Sequence, residues 1–266
     1  MTSARLPNAM FNLLASVGGV VVAALASIGR VTRFGCTALW RALFPPYYPG
    51  RLLEQLMNIG WFSLPVVGMT ALFTGAALAQ QIYTGGSRFN AQSTVPAVVV
   101  IGMVRELAPV LAGLMVAGRV ASAMAAEIGT MRVTEQLDAM TTLRTDPFKF
   151  LIAPRIVAAV LALPLLVLCA NSVGVFGSYL LSVQKLGFNP ANYLSVTVQY
   201  LEFGDVVMSM VKASVFGFAM ALMGCYHGFH SAGGAAGVGR STTNAVVSAF
   251  VLILATNLII TVIAFG

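Results

Sequence analysis

Two opposite charges stand side by side in the middle of a long apolar stretch of this sequence. Arg105 and Glu106 lie about 14 Å along a helix that would begin near Pro96 and continue to Gly118. Each charge would cost at least about 2.5 kcal/mol if it faced lipid at the bilayer centre. A structural ion pair, a polar patch in a substrate path and a proton relay are the roles open to such a pair.

The remaining candidates for chemistry are weaker. His227 and His230 form an H-x-x-H pattern, but no carboxylate or thiol accompanies them, so we predict no metal site. The stretch "GAAGVGRS", residues 234–241, has Arg240 where a phosphate-binding P-loop needs Lys, and no nucleotide domain surrounds it. We interpret it as a flexible glycine turn, and we predict no cofactor.

The composition indicates which class of protein must position the charged pair. Of the 266 residues, 58% are hydrophobic and 9% are charged, whereas soluble domains carry about 25% charged residues. Several apolar stretches reach the roughly 20 residues that cross a bilayer as a helix. The predicted fold class is therefore all-α, a polytopic membrane protein. Its five transmembrane helices are expected at about 60–83, 95–118, 152–181, 207–229 and 243–265.

The N-terminal region is predicted to lie in the membrane interface. Residues 11–28 are apolar and nearly long enough to cross, but they run into a segment where arginines alternate with aromatic and leucine side chains. Basic residues beside aromatic ones suit an interfacial helix. We favour this helix over a sixth span, and we divide the chain into an N-terminal region, 1–59, and a five-span domain, 60–266.

Basic residues predict the orientation, because cytoplasmic loops of membrane proteins are enriched in Lys and Arg. The side that holds the N-terminus and the 119–155 connection has eleven of them, and the other side has Arg88 and Lys185. We therefore expect a cytoplasmic N-terminus and an external C-terminus. The net charge of +7 is assigned to topology, and no nucleic-acid partner is predicted. The eleven are Arg5, Arg30, Arg33, Arg41, Arg51, Arg119, Arg132, Arg144, Lys149, Arg155 and Arg240.

The second span separates small side chains from bulky ones when it is projected at about 100° per residue. The half with the charged pair should face protein or a cavity, and the bulky half should face lipid. Small residues recur at four-residue spacing, at Gly113, Ala117, Ala121 and Ala125, which predicts close helix packing. Neighbours in sequence do not face each other on a helix, so each charge should have another partner. The first half holds Gly102, Arg105, Glu106, Ala108, Pro109, Ala112, Gly113 and Ala117, with Val116 as a bulky exception; the second holds Met103, Val104, Leu107, Val110, Leu111, Leu114 and Met115.

The connection after the second span is dense in charge and carries a partial apolar stripe at helical spacing. This pattern favours a short amphipathic helix that a cytoplasmic partner would bind, with a solvated connector as the alternative. The charges are Glu127, Arg132, Glu135, Asp138, Arg144, Asp146 and Lys149, and the stripe is Ile128, Met131, Val133, Leu137 and Met140.

Three segments resemble one known family. "RELAPVLAGLMVAGRVASAMAAEIGTMRVTEQLDAM", Arg105 to Met140, closely resembles the signature of the MlaE (YrbE) family, the permease subunits of ABC transporters that work with MCE-domain proteins. "DPFKFLIAPR", Asp146 to Arg155, continues the match, and "SAGGAAGVGRSTTNAVV" resembles the family's last cytoplasmic loop. The likeness covers most of the chain after about residue 30.

The resemblance implies a function and a set of partners. Such permeases are homodimers in the bacterial inner membrane, with five spans per subunit after an interfacial helix. They move phospholipid between the inner membrane and the outer envelope and thereby maintain outer-membrane lipid asymmetry. Their implied partners are a cytoplasmic ABC ATPase subunit, a periplasmic MCE-domain protein and a small STAS-domain accessory protein. The permease itself would then not be an enzyme.

The resemblance also implies roles for particular residues. A lipid cavity would lie at the dimer interface along the first two spans, and the segment 127–140 would be the coupling helix that docks on the ATPase. The implied lipid-binding residues are Leu78, Gln81, Tyr83, Arg105 and Glu106. The implied coupling residues are Glu127, Arg132, Glu135, Gln136, Leu137 and Asp138.

Two other functions compete with this one. An ion-coupled secondary transporter could use Arg105 and Glu106 as a proton relay, but such transporters usually contain internal repeats, which we do not find in this sequence. An intramembrane enzyme would need a nucleophile and a base at membrane depth. Cys169 and Ser172 have no histidine or aspartate near them in the sequence.

Overall fold

The computed structural model describes residues 5–45, 48–87 and 92–265, and within these ranges the chain is helical and contains no strand. Five helical segments there are long and apolar enough to cross a membrane, which confirms the predicted fold class. They are Pro49–Gly86, Val95–Val133, Phe148–Gln184, Phe203–Phe229 and Gly234–Ala264. Arg88 and Gly266, which entered the orientation prediction, lie outside the described residues.

Local backbone breaks divide the first two of these segments into two helices each, and the described residues contain ten α-helices in all. The first span contains a 3-10 turn at Trp61–Ser63, and the second and third contain π-helical turns at Met103–Leu107 and Phe148–Ile152. The helices are α1 Arg5–Leu43, α2 Pro49–Ile59, α3 Leu64–Gly86, α4 Val95–Gly102, α5 Ala108–Val133, α6 Gln136–Thr142, α7 Ala153–Gln184, α8 Pro190–Tyr200, α9 Phe203–Phe229 and α10 Gly234–Phe265.

The N-terminal helix α1 attaches to the five spans near its C-terminal end. Phe34 is buried against Phe148 and Phe229, with ring centroids 5.1 and 5.8 Å apart. Arg41 pairs with Asp146, just before α7. These contacts place the end of α1 beside the start of α7 and the end of α9, so the segments that were predicted to share one side do lie at one end of the molecule. Whether residues 11–28 lie in the interface stays a prediction.

Small residues on α5 bring α9 and α10 close, as their four-residue spacing predicted. Ala121 and Ala125 are fully buried, and they face Gly224 and Gly228 of α9. Gly113 faces Phe216 of α9 and Ile253 of α10. Three spans therefore meet along one stripe, and the prediction that this half of the second span faces protein is confirmed.

The prediction that Met103 and Val104 face lipid was wrong. Both are buried, at 0% and 2% exposure, and Met103 packs on Gly174 of α7. The projection assumed about 100° per residue throughout, whereas the π-helical turn at Met103–Leu107 changes that angle. The helix α7 also covers this side. The second span therefore contacts protein on two sides in the turn that precedes the charged pair.

Two further predictions about the end that was expected to be cytoplasmic need correction. The segment 127–140 is not one helix, because it breaks after Val133 and Glu135 adopts a left-handed conformation with φ 59°. Leu137 is buried at 1% exposure, so it belongs to the core and not to a partner-facing surface. Side chains on short amphipathic helices point inward wherever a span end lies beneath them, and the sequence alone did not show which ones would.

The stretch 234–241 is not a flexible turn. It forms the first two turns of α10, and the chain reverses just before it, with positive φ at Gly233 and Gly234. A Cβ placed on Gly129 of α5 would lie 3.4 Å from Val238, so α10 begins in contact with the end of α5. This packing holds the helix despite the low helix propensity of glycine.

Candidate functional site: an intramembrane charge cluster

Pro109 prepares the site by leaving one backbone carbonyl without its helical partner. Proline has no N–H, so it cannot bond the carbonyl four residues earlier, which is that of Arg105. The π-helical turn at Met103–Leu107 directly precedes this proline. The Lys212 ammonium of α9 donates to the Arg105 carbonyl at 2.8 Å. A cation from another span thus occupies the acceptor that the proline frees.

Glu106 is the centre of the site. Its carboxylate accepts hydrogen bonds from Lys212 Nζ at 2.7 Å, from Thr261 Oγ1 at 2.7 Å and from Asn257 Nδ2 at 2.9 Å. Lys212 belongs to α9, and Asn257 and Thr261 belong to α10. The side chain of Lys212 is 0% exposed, whereas that of Glu106 is 38% exposed. The carboxylate is therefore held by two neighbouring spans and still opens to the outside of the subunit.

Arg105 bonds a different acid. Its Nε donates to Asp205 Oδ1 at 2.7 Å, near the start of α9, and the side chain of Asp205 is 4% exposed. The four charged groups sum to zero, which lowers the cost of holding them between helices. We call this set the intramembrane charge cluster: Arg105, Glu106, Asp205 and Lys212, with Asn257 and Thr261 as polar partners.

Sequence reasoning predicted two of the six residues of this cluster. The expectation that Arg105 and Glu106 each bond another residue is confirmed, but Asp205, Lys212, Asn257 and Thr261 were missed. The missed signal was depth: Lys212 is about 14 Å along α9 from Phe203, much as Glu106 is along its own span. A lysine within an apolar span requires an acid at the same depth, and Glu106 was available.

The predicted lipid-binding residues on α3 are not all brought to the cluster. Leu78 is near, since a Cβ on Gly102 would lie 3.8 Å from its Cδ2, and Gly102 is one turn before Glu106. Gln81 is exposed on the following turn of α3. Tyr83 is half-buried and packs on Phe188, with ring centroids 5.9 Å apart, at the α7–α8 connection. Their roles toward lipid stay predictions.

The predicted coupling residues differ in what they contact. Glu127 bonds the buried Arg155 at 2.7 Å, which ties the end of α5 to the start of α7. Arg132 bonds Asp138 at 2.7 Å across the break before α6. Glu135 and Gln136 are exposed and lie at the tip of this end. Glu135, Gln136 and the exposed Asp138 can meet a partner directly, whereas the ion pairs of Glu127 and Arg132 shape the segment that carries them.

The two histidines have local hydrogen-bond partners. His227 Nε2 lies 3.0 Å from Ser248 Oγ of α10, and His230 Nδ1 lies 2.8 Å from the Tyr226 carbonyl. Among the described residues, no group of three or more His, Cys, Asp or Glu side chains is placed to hold a metal ion.

On the opposite end of the molecule, burial raises the pKa of the Tyr193 phenol. Its hydroxyl donates to Ser178 Oγ at 3.0 Å, and this bond fixes α8 on α7.

These features define a class: an all-helical, polytopic membrane protein whose charges inside the membrane are paired between spans. Intramembrane charges that face protein mark the pathways of proteins that move substrates or ions. A family model described as Permease MlaE matches residues 52–263. The chain belongs to this family of ABC transporter permeases, and the predicted resemblance is confirmed.

Similar proteins agree with this assignment. The chain is 51% identical to a protein of Rickettsia conorii described as a "probable ABC transporter permease protein", over 96% of this chain and 99% of that one. It is 30% identical to the intermembrane phospholipid transport system permease protein MlaE of Haemophilus influenzae, over 96% and 98%. It is 37% identical to the chloroplastic protein TRIGALACTOSYLDIACYLGLYCEROL 1 of Arabidopsis thaliana, over 80% and 65%. These relatives do not favour the ion-coupled alternative.

Proposed function

We propose that this chain is the membrane-spanning subunit of an ABC transporter that moves phospholipid between the inner membrane and the outer envelope of a bacterium. The observation that carries the proposal is the intramembrane charge cluster, in a chain that belongs to the MlaE permease family. Its Glu106 carboxylate is held by α9 and α10 but is partly exposed, on a helix whose preceding turn lies beside Leu78 of α3. The cluster thus places a partly exposed carboxylate, that of Glu106, beside an apolar surface that includes Leu78.

A second copy of the chain would complete the lipid cavity. Several large apolar side chains of the first span have no cover in the single subunit. This face fits a homodimer in which two copies enclose lipid along α3 and the second span, with Leu78, Gln81 and Tyr83 on its walls. The uncovered side chains include Trp61, Phe62, Met69 and Phe73, which are 57–63% exposed.

Lipid in this cavity should be detected by crosslinking from Gln81. A photoreactive residue at Gln81 should form phospholipid adducts whose yield changes when ATP is supplied to the complex with its ATPase. The control position is Leu180 of α7, which is 40% exposed and is not among the predicted lipid-binding residues; its adducts should not respond to ATP. Equal, ATP-insensitive yields at both positions would contradict a transport path at Gln81.

The tip of the cytoplasmic end is proposed to bind the ATPase subunit through Glu135, Gln136 and Asp138. Glu135→Lys should strongly reduce recovery of the ATPase with the tagged permease, because a reversed charge at a docking surface is costly. Glu54→Lys is the matched control, since Glu54 is also exposed and pairs with Arg51 on its own helix. Unchanged recovery of the ATPase subunit with the Glu135→Lys permease would contradict this assignment. Leu137→Asp is unsuitable as a test, because it would bury a carboxylate.

The proposed orientation places this tip in the cytoplasm and the C-terminus in the periplasm. A reporter that is active only outside the cytoplasm should work when fused after Gly266 and fail when inserted between Ala232 and Gly233. The insertion point lies in the short reversal before α10, so it leaves both helices intact. Activity in the reverse pattern would mean that the orientation is inverted. With this orientation, an MCE-domain protein would dock on the periplasmic end, and a STAS-domain protein on the ATPase side.

A further inference from the structure

Two adjoining cavities lie where α1 crosses the ends of α9 and α10, away from the charge cluster. The larger has a volume of about 790 Å³ and lies between the segment 27–39 of α1 and the two spans. The smaller has a volume of about 310 Å³ and continues toward the start of α7. Both are lined by Arg30 and His230, so the two cavities meet at these side chains.

The larger cavity has an apolar body. Leu39 of α1, Phe218 and Leu222 of α9, and Leu252 of α10 contribute to its walls. Its volume is within the roughly 300–1,000 Å³ that is usual for small-molecule sites. Because it lies along apolar spans at the level of one membrane leaflet, a hydrocarbon chain can enter it from the bilayer.

The smaller cavity is basic. Arg30, Arg33 and His230 line it together with the Thr37 hydroxyl, and among the described residues no acidic side chain lines either cavity. Arg30 donates one hydrogen bond to Ser27 at 2.7 Å, and a guanidinium has five N–H donors. The first acidic residue of the whole chain is Glu54, so no carboxylate of α1 competes for these cations.

The contact that α1 makes is incomplete without an occupant here. Phe34 and Ala38 are the buried hydrophobic side chains among those described on α1. Ile28 and Leu39, at the mouth of the larger cavity, are 62% and 45% exposed. Apolar side chains that line an open groove at membrane depth are stabilised when a hydrocarbon chain covers them.

We propose that the two adjoining cavities together bind one phospholipid with an anionic head group. Its acyl chain lies in the larger cavity, and its phosphate lies at Arg30 and Arg33. The bound lipid fastens α1 to α9 and α10. It is a resident lipid, separate from the one moved past Glu106, because its site is lined by α1, α9 and α10 and not by α3. The site therefore does not depend on the proposed transport path.

The test uses two photoactivatable lipids with a diazirine in the acyl chain, phosphatidylglycerol and phosphatidylcholine, each at the same trace level in phosphatidylcholine nanodiscs. Phosphatidylglycerol should label peptides of 27–39 and 218–230 more than phosphatidylcholine does. The double variant Arg30→Gln/Arg33→Gln should lower that labelling by an order of magnitude or more, since each basic residue near a membrane surface contributes about fivefold in affinity. The control Arg51→Gln, on α2, should not change it.

A second variant tests the chain pocket. Cys36→Trp would fill the larger cavity from the α1 side. It should abolish labelling of 218–230 by the photoactivatable lipid. Crosslinking of phospholipid by a photoreactive residue at Gln81 should persist. Equal labelling by the two lipids, or labelling unchanged in both variants, would overturn the proposal. Displacement of the labelled lipid by inorganic phosphate alone would show a simple anion site. A co-purified protein helix crosslinked at Cys36 would show that a protein, and not a lipid, fills the groove.

Discussion

Glu106→Ala should destabilise the protein by about 3–5 kcal/mol, because removing one partner of a buried ion pair strands the other charge. The charge that loses this ion pair is Lys212, whose side chain is 0% exposed and also bonds the Arg105 carbonyl and the Thr261 hydroxyl. Thermal unfolding of the purified protein measures the change. Thr256→Val is the matched control, since the Thr256 hydroxyl bonds only carbonyls of its own helix beside the cluster; it should have little effect.

A double variant separates the structural role of Glu106 from a role in transport. Glu106→Ala/Lys212→Met removes both charges, and replacement of a buried pair by apolar groups is often neutral in stability. We expect the double variant to regain most of the lost stability. It should not regain phospholipid transfer, because the Glu106 carboxylate that lines the proposed lipid cavity is gone. Full transfer in the stable double variant would show that the pair is structural only. Undiminished stability in Glu106→Ala would contradict the ion pair itself.

Gly75→Ala should separate α3 from α7. The two backbones approach so closely that a Cβ on Gly75 would lie 1.9 Å from the Gly174 carbonyl oxygen. Because that oxygen belongs to the backbone, rotation of a side chain cannot remove the clash. Overpacking of this kind costs about 1–3 kcal/mol, and here a backbone must move. The Tm of the variant should fall clearly in the same detergent as the parent protein.

Gly68→Ala is the control for this prediction. It lies two turns earlier on α3, and a Cβ there would meet nothing within 4 Å. Alanine is the better helix former by about 0.5–1 kcal/mol, so this variant should be neutral or slightly more stable. Similar losses in both variants would contradict the close contact with α7 as the cause, because a Cβ on Gly68 meets no neighbour and alanine favours the helix.

The sequence was sufficient for the features that depend on composition and local chemistry. Length and apolarity determined five spans, because a helix that crosses a bilayer needs about 20 apolar residues regardless of its neighbours. The small residues at 113, 117, 121 and 125 predicted a packing stripe, and the centrally placed Arg105 and Glu106 predicted that each would need a partner. The segment 105–140 was distinctive enough to indicate the family.

Tertiary structure decided which residues meet. The partners of Arg105 and Glu106 come from α9 and α10, about 100 to 150 positions along the chain, and the projection of one helix contains no information about another. The same limit explains the errors at Met103 and Val104: both are apolar, and apolar side chains face lipid or protein equally well in a membrane. Only the neighbouring span, such as α7 over Met103, determines which side is covered.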